Sequence, residues 1–184
     1  MTATTAASPI RAARRPAVPY AAYEPGPLVR AAVGLVGVGF TAACAIGLVR
    51  FAAGLAPAHA APRDLAVMLH LATVLPAVPL GAWLMLSRKG TARHKLWGKV
   101  WVVLMILTAL SALFIRQING GQLSPIHIFV PMTLWGAWKT VATARRGDIA
   151  GHRKQLVGFY LGALTIPGLF AFLPGRMMWT WLVG

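Results

Sequence analysis

Four histidines recur at regular intervals in the chain. His70 and His94 are 24 residues apart, and His127 and His152 are 25 residues apart. Imidazole is a good ligand for iron, and a six-coordinate haem iron takes one axial ligand from each side of its ring. The spacing therefore predicts paired ligands for a cofactor, provided that the surrounding elements bring the histidines together at common depths.

The segments around these histidines are strongly apolar. Of 184 residues, 58% are hydrophobic and only 11% are charged, whereas about a quarter of a soluble domain is charged. About 20 apolar residues cross a hydrocarbon core of roughly 30 Å. We therefore expect an all-α, polytopic transmembrane helical bundle occupying residues 28–184, with five spans at about 28–50, 65–87, 96–115, 125–143 and 155–174.

The N-terminal segments have a different composition. Residues 1–27 are rich in alanine, proline and threonine without apolar periodicity, which predicts a disordered basic tail. The first span could be a cleaved signal, because residues 56–60 read APAHA, a small-residue cleavage pattern. Its apolar run is longer than that of an ordinary signal, and Arg50 separates it from the cleavage pattern, so a retained helix is favoured.

The basic residues predict the orientation of the chain. There are 18 lysines and arginines against three acidic residues, but the cations are confined to the tail and short loops, which argues against nucleic-acid binding. Fourteen of the 18 fall on the side that holds the N-terminus. Under the positive-inside rule, this predicts an inner-membrane protein with a cytoplasmic N-terminus, a periplasmic or extracellular C-terminus, and anionic lipids at its cytoplasmic face.

An internal repeat suggests how the spans are arranged. The tripeptide GAW occurs at 81–83 and again at 136–138, and a basic pair followed by glycine begins 18 residues after the first histidine of each unit. Two duplicated hairpins, made of spans two and three and spans four and five, would form a four-helix core. That core would pair His70 with His127 near the outer face and His94 with His152 near the inner face.

Two such pairs would suit haem b and an electron path across the bilayer. We expect all four histidines to be axial ligands, while nearby cations contact haem propionates or anionic lipid headgroups; the cations are Arg88, Lys89, Arg93, Lys95, Arg153 and Lys154. Glycines along the spans could leave room for the macrocycle or serve close helix contact; they are Gly81, Gly98, Gly136, Gly158 and Gly162.

Simpler roles for the histidines stay open. His94 and His152 lie in cationic loops, where a histidine is also typical of an interfacial residue that contacts phospholipid. His127 could cap a helix, and His59 lies in a loop where solvent would surround it.

Residue types exclude several other sites. Cys44 is the only cysteine, which excludes an intramolecular disulfide and a cysteine-held iron–sulfur cluster. The predicted spans contain no carboxylate, so a carboxylate-based proton or cation relay is not expected.

Two further function classes remain. A small-solute transporter or permease would be consistent with duplicated hairpins and with helices broken at Pro76, Pro79, Pro131 and Pro167. With only five spans it would need a homodimer. A structural or assembly subunit associated with other membrane subunits is equally compatible with the tail and the aromatic C-terminus.

Three stretches carry a family resemblance: LHLATVLPAVPLGAW from residue 69, RKGTARHKLWGKVWV from 88 and GHRKQLVGFYLGAL from 151. From His70 to about Arg176, the chain resembles the bacterial domain-of-unknown-function family 2306, whose members are predicted membrane proteins without an established activity. A looser likeness is to the di-haem cytochrome b561 architecture, which implies axial histidine pairs from alternate helices. That architecture has six spans, whereas five are expected here.

Overall fold

The computed structural model describes residues 26–57, 64–116 and 119–184, and every regular element in these ranges is helical. The seven α-helices are α1 (Pro27–Ala52), α2 (Leu65–Leu86), α3 (Ala92–Ala112), α4 (Phe129–Arg145), α5 (Ile149–Phe159), α6 (Ile166–Ala171) and α7 (Met177–Val183). A 3₁₀ turn, Pro125–Ile128, precedes α4, and a π-helical segment, Tyr160–Thr165, joins α5 to α6. The predicted disordered tail, up to residue 25, and His59 lie outside the described residues.

Three of these helices are long and apolar enough to cross a membrane. They are α1, α2 and α3, with 26, 22 and 21 residues and mean hydropathies of 2.2, 1.8 and 1.5. The all-α transmembrane class is therefore confirmed. The two later segments are built differently: α4 has 17 residues after its 3₁₀ turn, and the π-helical segment divides the following helix.

Capping residues set where the helices begin. The Thr91 side chain accepts the His94 backbone N–H at 3.1 Å, and the Asp148 side chain accepts the Gly151 N–H at 2.9 Å. Such caps satisfy amides that have no partner within the helix. Helices α3 and α5 consequently start several residues before the predicted apolar spans. This places His94 and His152 inside the first helical turns and not in loops.

The prolines break the helices less than expected. Helix α2 continues through Pro76 and Pro79. Pro131 is the third residue of α4, in the first turn, where the missing N–H would have lacked a helical partner anyway. It therefore opens a helix instead of kinking one. Pro167 is the second residue of α6, just after the π-helical segment, whose wider turn interrupts the regular α-helical ladder.

Consecutive helices from α1 to α5 pack on their neighbours, and α7 returns to pack on α1. Trp101 and Tyr160, each 1% exposed, lie at the centre of the core. The Trp101 indole N–H donates to the Ala77 carbonyl at 2.9 Å, and the Tyr160 hydroxyl donates to the Val78 carbonyl at 3.3 Å. Each bond provides a hydrogen-bond partner for the polar group of a buried aromatic side chain.

The outer surface of the bundle is apolar. Large side chains such as Leu35, Val103 and Trp135 are 78%, 53% and 61% exposed. A soluble monomer rarely presents extensive apolar patches, whereas lipid tails accommodate them. The exposed side chains therefore agree with a membrane location.

The two GAW motifs occupy comparable positions in the core. A Cβ atom at Gly81 would lie 2.7 Å from Trp101 Nε1, and one at Gly136 would lie 2.8 Å from Phe159 Cδ2. Because each glycine has no side chain, an aromatic ring from the second helix of its own hairpin packs directly against the backbone there. Trp101 and Phe159 meet edge to face, with ring centroids 5.2 Å apart. Together with Tyr160, these two rings form what we term the aromatic layer.

The C-terminal helix α7 packs against the rest of the bundle. Trp179 is 38% exposed, but Trp181 is 1% exposed. The Trp181 ring stacks on Phe51 with centroids 4.5 Å apart, and its carbonyl accepts a hydrogen bond from Arg50 Nε at 3.1 Å. Helix α7 is therefore part of the packed structure and is held against the end of α1.

Candidate functional site: two histidine pairs and an outer cavity

The inner pair consists of His94 in α3 and His152 in α5. The two imidazoles and Lys89 lie within the range of long-range electrostatic interaction, which does not require contact. Both rings are partly buried. The structure thus places these two histidines in the first turns of two helices, at the same end of the bundle, on the side that carries most of the cations.

Hydrogen bonding fixes the ring of His152. Its Nδ1 lies 3.0 Å from the Thr140 carbonyl oxygen, and a carbonyl can only accept. Nδ1 therefore carries the proton, and Nε2 keeps its lone pair. A backbone carbonyl that holds one nitrogen and leaves the other free is the usual support for a histidine that binds a metal.

Two polar atoms near this pair have no hydrogen-bond partner among the described residues. They are His94 Nδ1 and Thr140 Oγ1, and both are buried. Leaving a buried polar atom unsatisfied costs about 1–3 kcal/mol, so each such atom requires a reason.

Several of the predicted contact cations surround this inner end. Arg88 and Lys89 precede α3, Arg93 and Lys95 flank His94, and Arg153 and Lys154 follow His152. The Lys89 ammonium donates to the Met85 carbonyl at 2.6 Å. These side chains suit either an anionic group on a cofactor or phospholipid headgroups.

The outer pair, His70 and His127, shares one large cavity. Its volume is about 1010 Å³, at the upper limit of the range that small-molecule sites occupy. Its deep end is formed by apolar side chains that include Val78, Met105 and Leu164. Asp64 and Arg176 are among the lining residues at the ends of helices.

His70 is held in the same manner as His152. Its Nδ1 lies 3.0 Å from the Thr108 carbonyl oxygen and 3.3 Å from the Ser111 hydroxyl. The carbonyl requires a proton on Nδ1, which leaves Nε2 as an acceptor or ligand atom. Thr108 follows His94 by 14 residues on α3, so at 1.5 Å per residue the inner and outer pairs are separated by about 21 Å along the helix axis.

His127 has the opposite arrangement. Its Nδ1 is 3.0 Å from both the backbone nitrogen and the carbonyl oxygen of Ser124. That carbonyl already accepts the His127 backbone N–H at 2.9 Å, whereas the Ser124 N–H needs an acceptor. We therefore assign Nδ1 as the acceptor, which puts the ring proton on Nε2.

This assignment means that the two histidine pairs differ in how well they could hold haem. Nε2 of His127 is buried without a partner among the described residues, and with its proton it is a hydrogen-bond donor and not an iron ligand. Of the inner residues, His152 fits a ligand role better, because the Thr140 carbonyl holds its Nδ1 and leaves Nε2 free, whereas the buried Nδ1 of His94 has no such described partner. None of the six predicted contact cations lines the outer cavity; Arg176 does.

The five glycines that were predicted to leave room for a macrocycle or to serve helix contact fall into two groups. Gly81 and Gly136 are closed by Trp101, Tyr160 and Phe159, so they serve aromatic packing and leave no room for a macrocycle. The other three glycines proposed to make room, Gly98, Gly158 and Gly162, have no side-chain neighbour within 4 Å of an added Cβ.

Sequence reasoning missed the residues that orient the histidines. Thr108 and Thr140 act through backbone carbonyls, which carry no residue-specific signal. Ser124 was detectable, because a serine followed three residues later by a side chain that can reach back is a capping pattern. Arg176 lies in the C-terminal segment and was not among the cations predicted to contact a cofactor.

The family model described as predicted membrane protein (DUF2306) matches residues 67–181. The chain belongs to this family. The match begins in α2 and ends in α7, and therefore includes both histidine pairs of this DUF2306 protein. A search of the curated proteins and a search of the solved structures each returned no match. The looser likeness to cytochrome b561 gains no support from these comparisons.

Among the described residues, no group of three or more His, Cys, Asp or Glu side chains could hold a metal ion. Haem differs from such a site, because its porphyrin supplies four of the six ligands and the protein supplies at most two. The relevant groups here are therefore the histidine pairs.

Proposed function

We propose that the chain is a transmembrane electron-transfer protein that holds one b-type haem between His94 and His152. The observation that carries the proposal is the inner pair itself. One ring is anchored through the Thr140 carbonyl at 3.0 Å, and the other is within electrostatic range and has a buried nitrogen without a described partner.

Each inner residue has a distinct role in this proposal. His152 is pre-oriented, since the Thr140 carbonyl fixes its tautomer and restrains its rotation. His94 completes the pair from α3, and the Thr91 cap holds the turn on which it lies. Arg93 directly precedes His94, and Arg153 directly follows His152. Both side chains would neutralise carboxylates on the cofactor. When bound, haem supplies a one-electron carrier in an apolar surrounding.

The proposal includes the finer membrane topology. The described helices α1 to α3 and the two segmented regions, 125–145 and 149–171, would cross the bilayer as five spans. The comparable packing of Gly81 on Trp101 and of Gly136 on Phe159 supports two duplicated hairpins as the four-helix core. The cation distribution supports a plasma-membrane location with the N-terminus in the cytoplasm and anionic lipid at that face.

Visible spectroscopy tests the cofactor directly. The protein is expressed with ample haem supply and purified in mild detergent, and reduced and oxidised spectra are compared. We expect sharp b-type bands at about one haem per chain. His94→Ala and His152→Ala should each remove most of the bound haem, because each deletes one axial ligand.

The outer pair provides the matched controls. His127→Phe and His70→Phe should retain the haem spectrum, since both positions are about 21 Å away along the helix axis. A haem-free wild-type protein would overturn the proposal. So would haem that persists in the double variant His94→Ala/His152→Ala.

The outer cavity is the observation that favours a permease for small solutes as the second candidate. The aromatic layer separates the cavity from the inner pair, so transport would require these rings to move. Uptake by proteoliposomes that depends on His70 or His127, from a protein with no haem bands, would favour the permease.

A further inference from the structure

We propose that the outer cavity is a binding site for a neutral, lipid-soluble compound with a carbonyl head, the chemistry of the membrane quinones. The site stands on the cavity and on His70 and His127, and is independent of haem at the inner pair. If haem is present there, the two sites would lie in series across the bilayer.

The first argument is an unused donor. His127 is 9% exposed, lines the cavity, and has a buried Nε2 with no partner among the described residues. Because Nδ1 accepts the Ser124 N–H at 3.0 Å, Nε2 carries the proton. A buried donor of this kind is satisfied by a ligand atom that accepts a hydrogen bond, such as a carbonyl oxygen.

The second argument is the complementary acceptor. His70 also lines the cavity, and the Thr108 carbonyl at 3.0 Å keeps the proton of His70 on Nδ1. Its Nε2 is therefore an acceptor. One cavity thus combines a donor suited to a quinone carbonyl with an acceptor suited to the hydroxyl of the reduced form.

The third argument concerns charge and polarity. The cavity lining includes one acidic and one basic side chain, Asp64 and Arg176, so its formal charge is zero. A phosphate or carboxylate head would gain little there over a neutral one. The apolar residues Val78, Met105 and Leu164 would contact a hydrocarbon ring or tail. A neutral head on an apolar body matches this lining.

The position of the cavity indicates the source of the ligand. Its walls include residues of α2 and α3, such as Val74 and Met105, and both helices can span a membrane. A lipid-soluble molecule is already concentrated at that depth. The π-helical segment also contributes Ala163 and Leu164 to the wall, and such segments are frequent at functional sites.

Decylubiquinone is a suitable probe, with decylbenzene as a matched compound that lacks the carbonyls. Binding to the full-length protein in nanodiscs is followed by saturable quenching of tryptophan fluorescence. A shift of the carbonyl stretching band in the infrared reports the hydrogen bond. We expect saturable decylubiquinone binding and a shifted carbonyl band. His127→Phe should weaken binding on the order of tenfold, which corresponds to one lost hydrogen bond.

Two further variants separate the donor from the packing. His127→Gln retains an N–H donor and should recover part of the affinity, and Val103→Ala, at a 53% exposed position outside the cavity lining, should bind the quinone as wild type does. If His127→Phe does not fold, the infrared shift of the wild-type complex decides the matter. Equal affinity for decylbenzene, an unshifted carbonyl band, or wild-type affinity in His127→Phe would each overturn the inference.

The outcomes for the two proposals are distinguishable. Quinone binding by a protein that never shows haem bands would sustain this site and refute the inner haem. Haem bands that depend on His94 and His152, without saturable quinone binding, would give the reverse result.

Discussion

Trp101 and Phe159 meet edge to face at the centre of the bundle, with ring centroids 5.2 Å apart and planes inclined by 68°. Each ring follows an inner histidine by seven residues, since Trp101 follows His94 and Phe159 follows His152. Each also fills the space beside the GAW glycine of its own hairpin. The contact therefore joins the two hairpins and fixes the height of the inner pair.

Gly81→Ala should destabilise the protein by about 1–3 kcal/mol, because the added methyl group would overlap a packed core. Its Cβ would lie 2.7 Å from Trp101 Nε1 and from Tyr160 Cε2. The free energy of unfolding in mixed micelles measures the effect. Gly98→Ala is the control, since nothing lies within 4 Å of its added Cβ. Equal stability of the two variants would contradict the packing described for Gly81.

Gly136→Ala should have an effect of the same sign in the second hairpin. Its Cβ would lie 2.8 Å from Phe159 Cδ2, so the ring must shift and its contact with Trp101 weakens. The same unfolding measurement applies, with Gly158→Ala as the exposed counterpart. A neutral Gly136→Ala beside a destabilising Gly81→Ala would argue against equivalent roles for the two GAW motifs.

Trp181→Ala should lower the free energy of unfolding by about 3–5 kcal/mol, the usual range for deletion of a buried large aromatic side chain. The ring is 1% exposed and stacks on Phe51. Trp179→Ala, at a 38% exposed position, should cost much less. Thermal unfolding in detergent can compare them. If Trp179→Ala proved the more damaging change, the docking of α7 on α1 would be in error.

The orientation of the protein can be checked by cysteine labelling. In a Cys44→Ala background, Gln122→Cys should react with a membrane-impermeant maleimide in intact cells, whereas Lys95→Cys should react only after the cells are opened. Both positions are exposed, so accessibility within the fold does not limit either reaction. The reverse pattern would place the N-terminus outside.

The sequence predicted the fold class well, because apolar composition and segment length report directly on the bilayer. It predicted helix ends less well. The predicted third and fifth spans began at residues 96 and 155, just after the cationic stretches, whereas the Thr91 and Asp148 side chains start α3 and α5 earlier. Hydrophobicity locates the membrane-buried part of a helix, but capping chemistry locates its first turn.

The candidate site, too, was predictable from the sequence only in part. Histidine spacing identified which rings could share a depth, since helix geometry converts spacing into height. It did not distinguish a ligand from a donor. That difference depends on whether Nδ1 meets the Thr108 or Thr140 carbonyl or the Ser124 amide, and these backbone partners become adjacent only through folding.

The π-helical segment Tyr160–Thr165 has a consequence for inherited variation in this chain. An i→i+5 turn holds one residue more than the α-helical turns on either side of it, so deleting one residue here would restore a continuous α-helix, whereas deleting one from α5 would turn α6 by about 100°. Gly168 of α6 lies close against Phe40 of α1, with an added Cβ only 2.6 Å from its ring. A one-codon deletion in α5 would therefore disturb this contact with α1, whereas a one-codon deletion within the π-helical segment would leave the angular setting of α6 intact.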